Sequence, residues 1–460
     1  MNIQLLKKTT IISFLYSMPL IFSSFLYLDD IFRATSGWMG YWLYDARPVT
    51  YMIMQVLNLG NVISDIAPLP TIISIFCMSL ASTILASKLT DESGWIVALA
   101  ASALTMSPLY IENLSYAFDG MTMSLSILMA IFATTINFKY SFILKIALSL
   151  AMLCTYQPSI AVYTASSSVI AITSLIKNEG NKEVLRSLFS DALSLIISYV
   201  LYKPMISSIY PVSDYFFGKS NILRQNIFNG LINNIANSFN VISSSGYYFW
   251  LMLLTSLLSF TIIIHKIIAR KSITSLIIAT ISSLVLIASI IGPVALTTAQ
   301  YLAPRVFVGF SVFSLFSCVV ISQVKRLRYI TILPGMLSVL IMYTYVGAMR
   351  GEEERNNSIS NDIQAIIVNV NSNVKSINIE GNPGFSNIAQ QASNKFKLID
   401  YITPKYFDSS RLSGAWLSLK GINIKTSKNS DIYYKADKES VFFLYGYEDG
   451  VLHLKFKSQK

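Results

Sequence analysis

The sequence predicts a polytopic α-helical membrane protein of about eleven transmembrane helices with a small α+β domain at its C-terminal end. Three observations predict it. Hydrophobic residues make up 53% of the chain and charged residues 13%, with a mean hydropathy of +0.54, whereas a soluble domain carries about 25% charged residues. Apolar runs of roughly 20 residues recur through the first 350 positions. Past Gly351 they stop, and residues 352–460 hold 12 acids and 14 bases, the make-up of a water-exposed module.

The first run, Thr9 to Leu28, is uncharged, and Lys7 and Lys8 before it set the N-terminus in the cytoplasm. A cleaved signal peptide is the alternative. The apolar core is too long for one and no A-x-A-like site follows, so the segment reads as a retained anchor. Further spans fall near 69–87, 94–110, 121–138, 141–157, 158–176, 187–206, 247–265, 273–296, 304–324 and 329–349. The span holding Asp191 and the pair around Gln157-Pro158 have the softest boundaries. Alternate threading puts 14 basic residues on the cytoplasmic side, Lys145, Arg270 and Lys271 among them. Seven lie opposite: Arg33, Arg47, Lys203, Lys219, Arg224, Arg305 and Arg350. That bias is the positive-inside rule, and it accounts for the net charge of +11 without a nucleic-acid partner.

Between the first two spans, residues 48–59 are apolar but too short to cross. Pro48 suits a first helical turn, so this segment reads as an interfacial helix with Arg47 at its positive end, an arrangement that suits a phosphate. Trp38, Trp42 and Tyr44 read as an aromatic belt. An odd span count leaves the tail outside the cytoplasm. It divides into a helix over 355–372 and β-like runs at 376–380, 416–420, 441–445 and 451–456, the last two flanking the hairpin signal Asp449-Gly450. The division is therefore a membrane domain, 1–350, and a terminal domain, 351–460.

Candidate chemistry gathers on the outward side. Asp29 and Asp30 follow the first run directly, with Arg33 one turn on, where a lipid headgroup would lie. Polar residues ending a span are the plain alternative. Glu112 and Asp119 lie in the next outward loop, Gln157 in another, and Arg305 follows a proline opening a helix, a candidate anion site whose alternative is snorkelling to the interface. Cys77, Cys154 and Cys318 all fall inside spans and read as small core residues. His265 and His453 are the only histidines, which removes Ser-His, Cys-His and His-rich zinc chemistry from the membrane domain. No P-loop or Rossmann pattern is present, so catalysis would rest on carboxylates.

Several stretches carry a family resemblance. Tyr27-Leu-Asp-Asp-Ile-Phe-Arg-Ala34, Ala46-Arg-Pro48, Leu57-Asn-Leu-Gly60, Ala67-Pro-Leu-Pro70, Pro108 to Asp119, Tyr156-Gln-Pro158 and Pro304-Arg-Val-Phe-Val-Gly309 resemble, in order, the bacterial glucosyl transferase type II family, which modifies O-antigen in serotype conversion. The resemblance runs through most of residues 1–350 and does not extend into the tail. The resemblance implies a GT-C-like glycosyltransferase of the bacterial inner membrane with its terminal domain in the periplasm. It implies undecaprenyl-phosphate glucose as donor, O-antigen polysaccharide as acceptor, and a separate synthase and flippase supplying the donor. On that reading Asp29 or Asp30 is the general base of a single displacement. Arg47 or Arg305 stabilises the departing phosphate, and Arg33 either joins them or orients the acids. Glu112, Asp119 and Gln157 would bind the acceptor or support the site. A divalent metal on Asp29 and Asp30 is left out for want of further ligands, and no other cofactor is implied. A lipid-linked-sugar flippase or O-antigen polymerase would also be polytopic and basic, but a polymerase would more naturally gather arginines in large periplasmic loops.

Overall fold

The computed structural model describes residues 2–23, 25–209, 212–213, 221–222, 226–269, 272–298, 302–370, 373–428 and 438–457. Lys219, Arg224, Arg270 and Lys271 lie outside the described residues.

In chain order the helices are α1 (Ile3–Ser23), α2 (Asp29–Ser36), α3 (Tyr41–Tyr44), α4 (Pro48–Leu57), α5 (Leu69–Leu89), α6 (Trp95–Ser102), α7 (Ile111–Ser115), α8 (Gly120–Thr135), α9 (Ser141–Leu153), α10 (Ile160–Ile176), α11 (Asn181–Ile209), α12 (Ile227–Ser243), α13 (Tyr247–Ile268), α14 (Ile273–Ala288), α15 (Gly309–Ser322) and α16 (Ile332–Val370). Among the described residues six helices are long and apolar enough to cross a membrane: Ile3–Ser23, Leu69–Leu89, Gln157–Ile176, Asn181–Ser207, Tyr247–Ile268 and Arg328–Val370. The other expected spans correspond to shorter apolar helices, α8, α9, α14 and α15, and to α6, which gives way to turns after Ser102.

The helices bury serines and threonines against one another, such as Ser74, Ser79, Ser82 and Thr83 on α5 and Ser311, Ser314 and Ser317 on α15. They turn Phe22, Ile143, Phe189, Trp250, Leu257 and Leu284 outward. Small residues inside and large apolar residues outside are what lipid requires, because burial against water no longer drives helix association there. Gly309 opens α15 against the carbonyl of Ser289, and a Cβ at that position would overlap it. Several spans differ from their expected bounds: α6 stops at Ser102, α14 stops at Ala288 and α16 runs on to Val370. The first helix ends at Ser23, so a short non-helical connection intervenes before Asp29. The span expected from 304 begins at Gly309, preceded by a single 3₁₀ turn, Pro304–Val306.

Helix α16 runs unbroken through positions 350 and 351. Beyond it lie β1 (Ser376–Glu380), α17 (Asn387–Lys395), α18 (Lys397–Ile402), α19 (Ser410–Leu419), β2 (Lys425–Ser427), β3 (Lys438–Glu439), β4 (Phe443–Glu448) and β5 (Val451–Phe456). The strands form one mixed sheet of order β2-β1-β5-β4-β3. β4 and β5 make the expected hairpin with Glu448 opposite Val451, and Asp449 and Gly450 both take the positive φ (49° and 83°) that a tight hairpin turn demands. The run Trp416–Lys420, expected as a strand, is instead the end of α19. Ser409 caps that helix by accepting from the Leu412 N–H, and Trp416 stacks on Tyr406.

The terminal region packs on both layers. Phe385, Ala389, Phe396, Leu398 and Ile402 join the core of the membrane helices. Ile359, Ile363 and Ile366 of α16 join the core under the sheet, and Ile31 of α2 belongs to that second core. The short acid-bearing helix is thus clamped between the bundle and the terminal sheet.

Candidate active site

The site grows from the corner between α1 and α2. Leu28 adopts a positive φ of 46°, a strained conformation for a branched side chain, and this turns the chain so that Asp29 and Asp30 open α2. Asp30 is fully buried. One carboxylate oxygen accepts from the N–H groups of Tyr27 (3.2 Å) and Ala117 (2.8 Å), the other from Phe118 (3.3 Å). It therefore stitches the corner to the loop between α7 and α8. Burial pushes its carboxyl up to about 7; Arg33 and the backbone donors oppose the rise and Asp119 reinforces it. Asp29, one residue earlier, is half-buried and makes no hydrogen bond or ion pair among the described residues. The two adjacent acids are therefore not equivalent.

Arg33 stands one turn along α2, 3.8 Å from Asp30 and 2.8 Å from Asp119, with its guanidinium over the ring of Trp42. The Trp42 indole donates to the other Asp119 oxygen at 2.5 Å. Trp42 is fully buried, so it is a wall of this site and not a member of an aromatic belt, whereas Trp38 and Tyr44 are exposed. A second strained residue, Ala46 (φ 59°), precedes Arg47. Its carbonyl is held by the Gln157 amide (3.1 Å) and the Tyr202 hydroxyl (3.1 Å). Pro48 then takes the first position of α4, as expected. Arg47 lies over the Tyr156 ring and 3.9 Å from Asp119.

Burial works against the charge on both arginines, but the acids around them hold each guanidinium above its ordinary value: Asp119, Asp29 and Asp30 for Arg33, Asp45 and Asp119 for Arg47. Asp45 is a site residue that sequence reasoning passed over. It is half-buried, and burial pushes its carboxyl up against the pull of Arg47 and Arg33. Its position two residues before Arg47 was the available signal.

Glu112 and Arg305 form a second pair beside the first. Glu112 accepts from the Arg305 guanidinium (2.8 Å) and from its backbone N–H (2.9 Å). Arg305 lies over Tyr116, which meets Tyr27 edge-to-face. Tyr156 and Asn113 both donate to the Arg305 carbonyl, at 2.7 and 3.2 Å. The structure therefore brings together Asp29, Asp30, Arg33, Arg47 and Asp119. It sets Glu112 with Arg305 on an adjoining wall and leaves Gln157 behind, supporting the turn into Arg47. Asn113, Tyr116 and Tyr156 complete the walls without having been singled out, because only the packing of distant loops reveals them. Among the described residues no group of three or more His, Cys, Asp or Glu is placed to hold a metal ion.

Buried polar groups normally find partners. Here Arg33 Nε, Arg47 Nε, Asn113 Oδ1 and the Tyr116 hydroxyl are buried with no hydrogen-bond partner among the described residues. A carboxylate without a hydrogen bond, Asp29, and guanidinium donors without partners are the kinds of group that can take a proton and hold an anion.

A family model for the glucosyl transferase GtrII family matches residues 18–322, which include every residue just described. The chain belongs to that family. It is also 26% identical over 238 residues to a 55.3 kDa protein of the gtrB 5′ region of Salmonella phage P22, an alignment covering 51% of this chain and 49% of the phage protein. The chain thus spans about half the length of the curated relative it matches. No solved structure matches it. Within the GtrII model the matched segment stops at the end of α15, so α16 and the terminal sheet lie outside it.

Proposed function

We propose that the chain is a membrane glucosyltransferase that moves a glucosyl group from undecaprenyl-phosphate glucose to a sugar of the O-antigen, on the periplasmic face of the bacterial inner membrane. Family membership supports the transferred group. The observation that carries the rest is the Asp29 carboxylate at the start of α2, which makes no hydrogen bond or ion pair among the described residues and lies within electrostatic reach of Arg33.

Asp29 removes the proton from the acceptor hydroxyl as its oxygen bonds to the anomeric carbon. The bond from that carbon to the phosphate oxygen breaks, and its electron pair leaves on undecaprenyl phosphate. Arg47, whose Nε lacks a partner, donates to the phosphate as charge develops, a role for which pre-positioned donors are well suited. Asp30 serves by position: it ties the corner that sets Asp29 at the start of α2 to the loop between α7 and α8. Glu112 keeps Arg305 aligned on the adjoining wall. The residue 351–460 module acts in the periplasm, and a reporter active only in that compartment should work when fused after Lys460.

The direct test is linkage analysis of O-antigen from otherwise identical cells with and without this chain. The reading requires an added glucosyl branch only where the chain is present. Identical linkages in both would refute it.

A further inference from the structure

The terminal module carries a cleft that the GtrII match does not reach, bounded by the 382–385 loop, α17, α18 and Lys405. Its volume is about 390 Å³, within the range of small-molecule sites. The rim is set in place before any ligand arrives. Arg355 of α16 donates to the carbonyls of Gly384 (2.8 Å) and Pro383, and Asn382 Oδ1 accepts from the Gly384 N–H at 2.7 Å. One wall holds Asp400 and Lys405 as an ion pair of 3.0 Å, with Lys405 over the buried Phe385 ring. The other wall holds Gln390 and Asn394, which share one hydrogen bond of 3.0 Å. That bond leaves the Gln390 carbonyl and an Asn394 N–H for a ligand. Ser393 also lines the cleft; it is 8% exposed, and its hydroxyl has no hydrogen-bond partner among the described residues.

A wall of amides, one ion pair, Lys397 as the single further cation among the described lining residues, and a hydroxyl without a partner suit a ligand rich in hydroxyl groups better than an apolar chain, and phosphate is the competitor that a lone lysine calls for. The cleft is also joined to the acids. α18 runs from Lys397 at the cleft to Ile402, whose carbonyl accepts from the Tyr27 hydroxyl at 2.8 Å, and Tyr27 is two residues before Asp29. At 1.5 Å per residue the two ends of that helix are about 8 Å apart.

We propose that this cleft is an oligosaccharide subsite that holds the acceptor chain away from the reacting sugar and leads it toward Asp29. The proposal rests on the transferase reading for its acceptor. The test uses full-length protein in detergent and a delipidated O-polysaccharide fragment from the host strain, with inorganic phosphate as comparator. In wild type the fragment binds by calorimetry and phosphate does not displace it. Gln390→Ala/Asn394→Ala and Ser393→Val should each weaken fragment binding and raise the acceptor KM about tenfold, with melting temperature, donor KM and kcat at saturating acceptor unchanged. Unaltered fragment binding and acceptor KM in both variants would overturn the subsite while leaving transfer standing, as would displacement by phosphate. If wild type binds the fragment, the variants lose it and no glucose is transferred, the transferase reading fails and the saccharide site survives.

Discussion

Lys145 of α9 and Asp191 of α11 pair at 2.5 Å inside the helical bundle, and Ser167 of α10 donates to the second carboxylate oxygen at 2.7 Å. Arg33 and Asp119 pair at 2.8 Å at the end of the bundle, equally buried, but there Arg33 Nε, the neighbouring Arg47 Nε and Asn113 Oδ1 have no hydrogen-bond partner. The first cluster ties three helices together and asks for nothing more. The second leaves buried donors and an acceptor without partners among the described residues, and Asp29, which makes no hydrogen bond, acts on the same Arg33. Burial of charge is common to both, so burial alone does not mark a site; what separates these two charged clusters is that one leaves guanidinium donors without partners.

The largest expected effect breaks the satisfied cluster. Lys145→Ala strands the Asp191 carboxylate and should destabilise the protein by about 3–5 kcal/mol, whereas replacing both partners by apolar residues should recover most of the loss. Melting in detergent reads the stability, and kcat per folded molecule should stay at the wild-type value in both. A fall in kcat without a fall in melting temperature would give this pair a catalytic role that its geometry does not predict.

Next in size is Arg47→Ala, which should slow transfer about 100-fold through lost stabilisation of the leaving phosphate. Arg47→Lys should restore only part of it, since an ammonium keeps the charge and not the planar fork. Transfer measured over a range of donor concentrations separates the variants; normal donor dependence in Arg47→Ala would move the phosphate to Arg305.

Asp30 supplies a pH signature. Its carboxyl sits near about 7 in the fold, mainly through burial, against about 3.9 for an unfolded aspartate. The folded state then binds more protons than the unfolded state between those values, so Asp30 makes stability fall as pH rises from about 4 to 7. Melting temperature across that window should fall more steeply for wild type than for Asp30→Asn. Equal slopes would contradict a carboxyl raised by burial.

The smallest effect is at the wall. Trp42→Phe keeps a ring under Arg33 but removes the indole donor to Asp119, and should lower stability by about 1.5 kcal/mol while slowing transfer only modestly. Full stability in that variant would show the donor to be replaceable by solvent.

Much of this was legible where local rules govern. The hairpin at Asp449-Gly450, the helix opened by Pro48 and the one-turn spacing of Asp30 and Arg33 each follow from backbone geometry over a few residues. Trp416–Lys420 misled because five alternating residues fit a strand, while the deciding feature, the Ser409 cap, lies outside the run. Lys145 reads as one of the cytoplasmic-side lysines until its distant partner Asp191 is known, and Trp42 as a belt residue until Asp119 is brought beside it. Nor does the pair Asp29-Asp30 say which acid is committed to backbone N–H groups 87 and 88 positions away, those of Ala117 and Phe118. Those facts belong to tertiary packing, which short sequence patterns do not encode.

The most direct measurement compares Asp29→Asn with wild type in purified transfer from undecaprenyl-phosphate glucose to O-antigen acceptor, with melting temperature recorded on the same samples. If Asp29 is the base and carries no structural bond, transfer falls by about 10²–10⁴-fold and melting stays where it was. Wild-type transfer at equal protein, or a loss of transfer matched by a loss of folded protein, would contradict the account.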